Sequence, residues 1–282
     1  MGGAPGFTVT VEWTQAITDL YDWSTTMYLV LCSATDTSGL WTYEGLKHLG
    51  VAPLELVLAE SLGQPATRWE HRLDRKGAHI KFAPPDGRVL CGSRIRGAIN
   101  RLPGPPPAIA LQAADSDREY AQAELQAFYL SWLNALPGVV LNRPAPSGLC
   151  GAWHHASEWA MLAGRAGLPV RPYRQSASDA PEQFYMPQAP EGVVACRFIA
   201  FAGAVFGGEL YGVQLPEPVV QACGRLAQEA KAQVMGIDLY LDGDGPEGRW
   251  SYAGATPSPD LRIGGMPLLR RMAKELTEGG RA

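Results

Sequence analysis

Gly236-Ile237-Asp238-Leu239-Tyr240-Leu241-Asp242, the turn Gly243-Asp244-Gly245-Pro246-Glu247-Gly248, and Trp250-Ser251-Tyr252-Ala253-Gly254-Ala255-Thr256-Pro257-Ser258-Pro259-Asp260-Leu261 form one pattern near the C-terminus. The apolar run beginning at Val234 predicts a strand to Asp242. The glycine-rich hexapeptide predicts a turn, and residues 249–253 a returning strand. Gly264-Gly265 then precedes a closing helix over 266–276. Asp238 sits in the middle of the first strand. A carboxylate there is a ligand or a hydrogen-bonded structural group, because unpaired burial is costly.

Working back along the chain, residues 27–32 and 54–58 read as buried strands and 40–50 as a helix between them. Residues 68–73 and 78–82 read as an antiparallel pair, and 95–102 as a short helix or turn. Together they predict a small α/β domain over 25–104. Pro103-Gly104-Pro105-Pro106-Pro107 is a stiff linker. Beyond it come helices at 117–136, 151–166 and 218–231, a short strand at 139–142, a polar loop at 174–192 and a hairpin over 193–207 turning near Ala202-Gly203. Residues 1–24 form an N-terminal arm in which Thr8-Val9-Thr10-Val11-Glu12-Trp13 alternates like a strand. Such an arm docks on the body or on another subunit, which allows a homo-oligomer.

Composition narrows the classes. The 282 residues carry a net charge of −4, are 46% hydrophobic and are 18% charged, which suits a globular chain with a sizeable core. An acidic chain disfavours a general nucleic-acid binder. No apolar run is long enough to span a membrane. The N-terminus has no signal-peptide pattern, so a cytoplasmic protein is expected. Cys32, Cys91, Cys150, Cys196 and Cys223 are odd in number and widely spaced, which fits buried thiols in a reducing compartment. There is no GxGxxG, no GxxxxGK[ST] and no GxSxG.

The closing pattern resembles the end of the ATP-grasp domain. In that family a strand carries an Asp, and the next strand ends in Glu-x-Asn before a proline-bearing loop. Val140-Leu141-Asn142-Arg143-Pro144 resembles the family's strand end with Asn and Pro. The run from Glu158 through Gly167-Leu168-Pro169-Val170 resembles its helix and Gly-Leu-Pro entry into the nucleotide-binding subdomain. The resemblance covers about residues 27–278 in order. It implies an α/β, ATP-grasp-like fold: the small preceding domain, then residues 110–282 as a grasp domain with a reduced nucleotide-binding subdomain at about 168–212. It also implies ATP-dependent joining of a carboxylate to an amine, with Mg2+ held by carboxylates and an Asn, and lysines on the phosphates.

This sequence departs from that pattern in two places. With Pro259 set on the family proline, the Glu position falls on Gly254 and the Asn position on Thr256. Of the usual metal ligands only Asp238 remains, with Asp242, Asp244 and Asp260 as nearby carboxylates. Mg2+ wants oxygen ligands in near-octahedral array, and glycine supplies none. Of 24 cationic residues only Lys47, Lys76, Lys81, Lys231 and Lys274 are lysines, and the 89 residues from Asn142 to Ala230 contain none. Arginines stand there instead, and arginine also binds phosphate.

The expected metal candidates are therefore Asp238, Asp242 and Asp260, and the cofactor-binding candidates Arg171, Arg174 and Arg197. Arg171, Tyr173 and Arg174 read otherwise as solvated surface. His154 and Glu158 share a helix face at i,i+4 and read as a metal pair or as an interface or capping cluster. The tryptophans, Trp153 and Trp159 among them, read as core. The function expected is a divergent, non-catalytic or repurposed relative of carboxylate–amine ligases in a biosynthetic pathway. It would bind a small acid or peptide, or support a partner biosynthetic enzyme. The alternatives are an active ATP-dependent ligase with unusual metal ligands and arginines, needing ATP and Mg2+, and a scaffold protein for a partner enzyme.

Overall fold

The computed structural model describes residues 26–75, 77–106, 110–171, 193–242 and 249–279. The expected N-terminal arm, Lys76, the polar loop with Tyr173 and Arg174, and the turn with Asp244 lie outside them.

A parallel sheet has the order β2-β1-β6-β7 (Leu54–Leu58, Met27–Cys32, Ile95–Asn100, Val139–Leu141). The apolar run of β1 is buried on both sides, as parallel strands are. Helix α1 (Thr37–His48) starts where Asp36 accepts a hydrogen bond from the Gly39 N–H. Gly39 is required there, because a Cβ would lie 2.6 Å from that of Cys32. The four-residue helix α2 (Ala59–Leu62) leads into an antiparallel sheet, β3-β4-β5 (Arg68–Asp74, Gly77–Ala83, Leu90–Cys91).

One element differs from the sequence reading. Residues 95–102 are not a helix or turn; β6 is a central strand of the parallel sheet. Its Gly97 and Ala98 have weak strand preference but are small, and a Cβ at Gly97 would lie 3.0 Å from Leu276. Close packing, not propensity, decides this strand.

Helix α3 (Arg118–Asn134) follows the linker. Its Tyr129 and Trp132 pack with Trp69 and Phe82 under the β3-β4-β5 sheet. Helix α4 (Ala156–Arg165) begins five residues later than the predicted 151, with His155 as its cap. The second large sheet is antiparallel, ordered β11-β10-β8-β9 (Arg249–Thr256, Val234–Asp242, Val194–Phe201, Ala204–Phe206). Helices α5 (Gly208–Tyr211), α6 (Glu217–Glu229) and α7 (Gly265–Glu278) complete the described chain.

One face of the second sheet, with Phe198, Ile237 and Leu239, packs on α4 and α6. The other face is divided. Its Ile199, Phe201 and Val234 join a core with α1, α7 and the parallel sheet. Thus β7 and α7, both beyond the linker, pack with the N-terminal elements. Asn142 ties the two sheets at that join. Its side chain donates to the Pro257 carbonyl (2.6 Å) and accepts from the Val234 N–H (3.0 Å). All five cysteines are free and buried, and burial pushes the Cys32 and Cys223 thiols up to about 12. Among the described residues no helix is long and apolar enough to cross a membrane.

Candidate functional site

The rest of the second sheet's divided face carries the residues singled out in the sequence. Alternate positions Asp238, Tyr240 and Asp242 of β10 point to it. Across β8 the partner of Asp238 is Arg197; across β11 it is Gly254. The β11 register shifts between Asp238 and Leu239, so Ala253 is the extra residue of a β-bulge. A Cβ built on Gly254 would stand 3.7 Å from Asp238 Oδ2. The missing side chain would therefore have reached the Asp238 carboxylate. Thr256, at the other altered position, accepts a hydrogen bond from the Ser258 N–H (3.1 Å) and caps its own loop.

Each of the three candidate carboxylates faces an arginine. Arg197 Nε lies 3.4 Å from Asp238 Oδ1. Burial raises the Asp238 carboxyl above its ordinary value, and Arg197 opposes that rise. Arg171 Nη2 donates to both oxygens of Asp242 at 3.0 and 3.1 Å, and its guanidinium lies over the Tyr240 ring, 4.9 Å from the centroid. Arg262 grips Asp260 with Nε and Nη2, the shortest contact being 2.6 Å, and these bonds hold the Asp260 carboxyl below its ordinary value. Two predicted phosphate-binding arginines are thus the partners of two predicted metal carboxylates.

The carboxylates do not meet. Asp238 and Asp242 are four residues apart on an extended strand, roughly 13 Å. Asp260, which follows the Pro257-Ser258-Pro259 loop in sequence, caps the turn Leu261–Gly264. Among the described residues no three His, Cys, Asp or Glu side chains form a group able to hold a metal ion. The donors present do not fit a Mg2+ ion, which needs several hard oxygens at about 2.1 Å.

The loop after β11 is held by the parallel sheet. Arg101 donates to the Pro259 carbonyl (2.9 Å) and is paired with Asp36 at 2.6 Å. Ser38 Oγ accepts from the Leu261 N–H (2.8 Å). Open parallel sheets bind ligands in the crevice at the carboxyl ends of their strands. Here the chain's own loop docks at those ends. The sequence reading did not anticipate Asp36, Ser38 or Arg101; only Asn142 was marked by a motif.

His154 and Glu158 do meet, at 2.9 Å, and His155 caps α4, so the capping reading describes this cluster. Trp159 is core, as expected, but Trp153 is 60% exposed because it precedes the helix start.

No protein-family model and no curated protein matches the sequence. Solved structures do match in fold. The macrocyclase MdnC of Microcystis aeruginosa MRC, bound with precursor peptide MdnA, has a TM-score of 0.67 at 12% identity, covering 90% of this chain and 100% of that one. A RiPP-associated ATP-grasp ligase of Chryseobacterium gregarium, in complex with ADP and a leader and core peptide, has a TM-score of 0.64 at 9% identity, covering 90% and 97%. The ATP-grasp ligase PsnB with minimal precursor, Mg and ADP has 0.61 at 15% identity, covering 93% and 99%. The order of elements, the paired strands bearing Asp238 and Gly254, and these likenesses agree: the chain has the ATP-grasp fold.

Proposed function

We propose that this protein is a non-catalytic ATP-grasp relative that binds a peptide in a peptide-modifying biosynthetic pathway, in the cytoplasm. The observation that carries the reading is the Asp238–Gly254 pair: the one retained metal-type aspartate faces a residue without a side chain. Phosphoryl transfer from ATP relies on metal ions and cations to neutralise the developing charge. Here Asp242 and Asp260 are engaged by Arg171 and Arg262 instead. The peptide part is supported by fold relatives whose structures contain precursor peptides. Five buried free thiols support a reducing compartment.

A ligand that binds only the folded state raises the melting temperature. Thermal melts with and without millimolar MgATP should coincide. A rise of several degrees that needs both Mg2+ and ATP would favour an active ligase in which arginines replace lysines.

A further inference from the structure

Helix α5 is four residues long and is anchored on its inner side. Gly207 and Gly212, both left-handed, bracket it. The Tyr211 hydroxyl accepts from the Arg197 N–H (3.0 Å), and its ring meets Phe198. Glu209 and Leu210 are exposed, Leu210 to 64%, so an anchored element holds an apolar side chain in water. Beside it opens a cleft of about 650 Å³. Phe206, Leu215 and Ile263 line it, each also packed against a core. Its charged lining is Glu209 and Glu217, with no lysine, arginine or histidine. Glu217 accepts a hydrogen bond from the neutral Gln221 amide (3.0 Å), and among the described residues no cation pairs with either glutamate. The arginines next in sequence to lining residues, Arg197 and Arg262, are paired with Asp238 and Asp260. The N-terminus of α6 favours a carboxylate at Glu217 but neutralises only part of its charge.

Three features select the occupant. The volume and apolar lining suit one or two bulky side chains. Two carboxylates without a cation complement positive charge and repel negative charge. A second copy seated through the same surface would bring four carboxylates together, and the chain itself is acidic, at −4. We infer that this cleft takes a basic peptide segment: a bulky apolar side chain against Leu210 and the apolar lining, and a neighbouring lysine or arginine toward Glu209 and Glu217. This rests on the peptide-binding part of the reading above and adds where the peptide lies and what it carries.

The test uses fluorescein-labelled Gly-Lys-Phe-Leu-Lys-Gly-amide and polarisation on the full chain. Saturable binding is expected. Exchanging both lysines of the peptide for glutamine should weaken it several-fold, and so should Leu210→Ser, at an exposed position. Glu209→Gln combined with Glu217→Gln should remove the preference for the lysine peptide. Glu119→Gln combined with Glu124→Gln takes the same charge from α3, which packs under the other antiparallel sheet, and should leave binding unchanged. Equal weakening by the two double variants would show general attraction to an acidic chain and overturn the site. If the lysine or glutamine peptide binds and neither Leu210→Ser nor the Glu209 and Glu217 double variant alters it, this site is overturned and the peptide-binding reading stands. If the wild type does not bind the lysine peptide saturably, the site is also overturned.

Discussion

Asp238 and Gly254 face each other across β10 and β11, with room for a side chain at 254 that would touch the carboxylate at 3.7 Å. Gly254→Glu is therefore sterically admissible and places a second carboxylate beside the first. Without metal the two charges repel, and Arg197 neutralises only one of them. The melting temperature should fall by about 2 °C or more, as expected for a penalty of about 1 kcal/mol in a chain of this size. Millimolar Mn2+ should restore the loss in the variant and leave the wild type unchanged. A melt scan with and without Mn2+ checks this.

Asp238 itself carries a pH signature. Its folded carboxyl is raised above the ordinary value by burial, against the pull of Arg197. The stability linked to its proton is fully present below the unfolded value, about 3.9. It is lost as pH rises through the folded value. Asp238→Asn removes this dependence. The variant should melt at or above the wild type at pH 7, and the difference should close as pH falls below 4. Paired melts at the two pH values test it. A variant less stable at pH 7 by more than at pH 3.5 would reverse the sign.

Asn142 joins the sheets from a left-handed conformation, φ 59°. Asn142→Ala loses the bonds to Pro257 and Val234 and adds the left-handed penalty. The expected cost is about 2–4 kcal/mol by urea denaturation. Asn142→Gly keeps the backbone free and should recover about 1 kcal/mol of it. Equal losses in both variants would assign the whole effect to the hydrogen bonds.

Much of this fold could be read from local pattern. The hairpin turning at Ala202-Gly203, the β3–β4 pair and the β10–β11 return follow from alternation and turn residues. Strand β6 did not, because Gly97 is chosen by the space under Leu276, which is distant in sequence. That Gly254 stands at the family's Glu position was legible from the offset to Pro259; that it faces Asp238 comes from the β10–β11 register. The arginine pairing was not. Arg197 meets Asp238 through the β8–β10 register, and Arg171 reaches Asp242 across 71 residues of chain. Composition shows how many arginines there are, but only the tertiary fold shows that these three are engaged with the carboxylates.

On the proposed reading the fold persists without a working magnesium–nucleotide grip. Isothermal calorimetry of the wild type with ATP and excess Mg2+, beside Asp238→Ala, tests it most directly. No saturable heat at near-millimolar nucleotide is expected in either protein. Micromolar binding by the wild type that Asp238→Ala abolishes would contradict it.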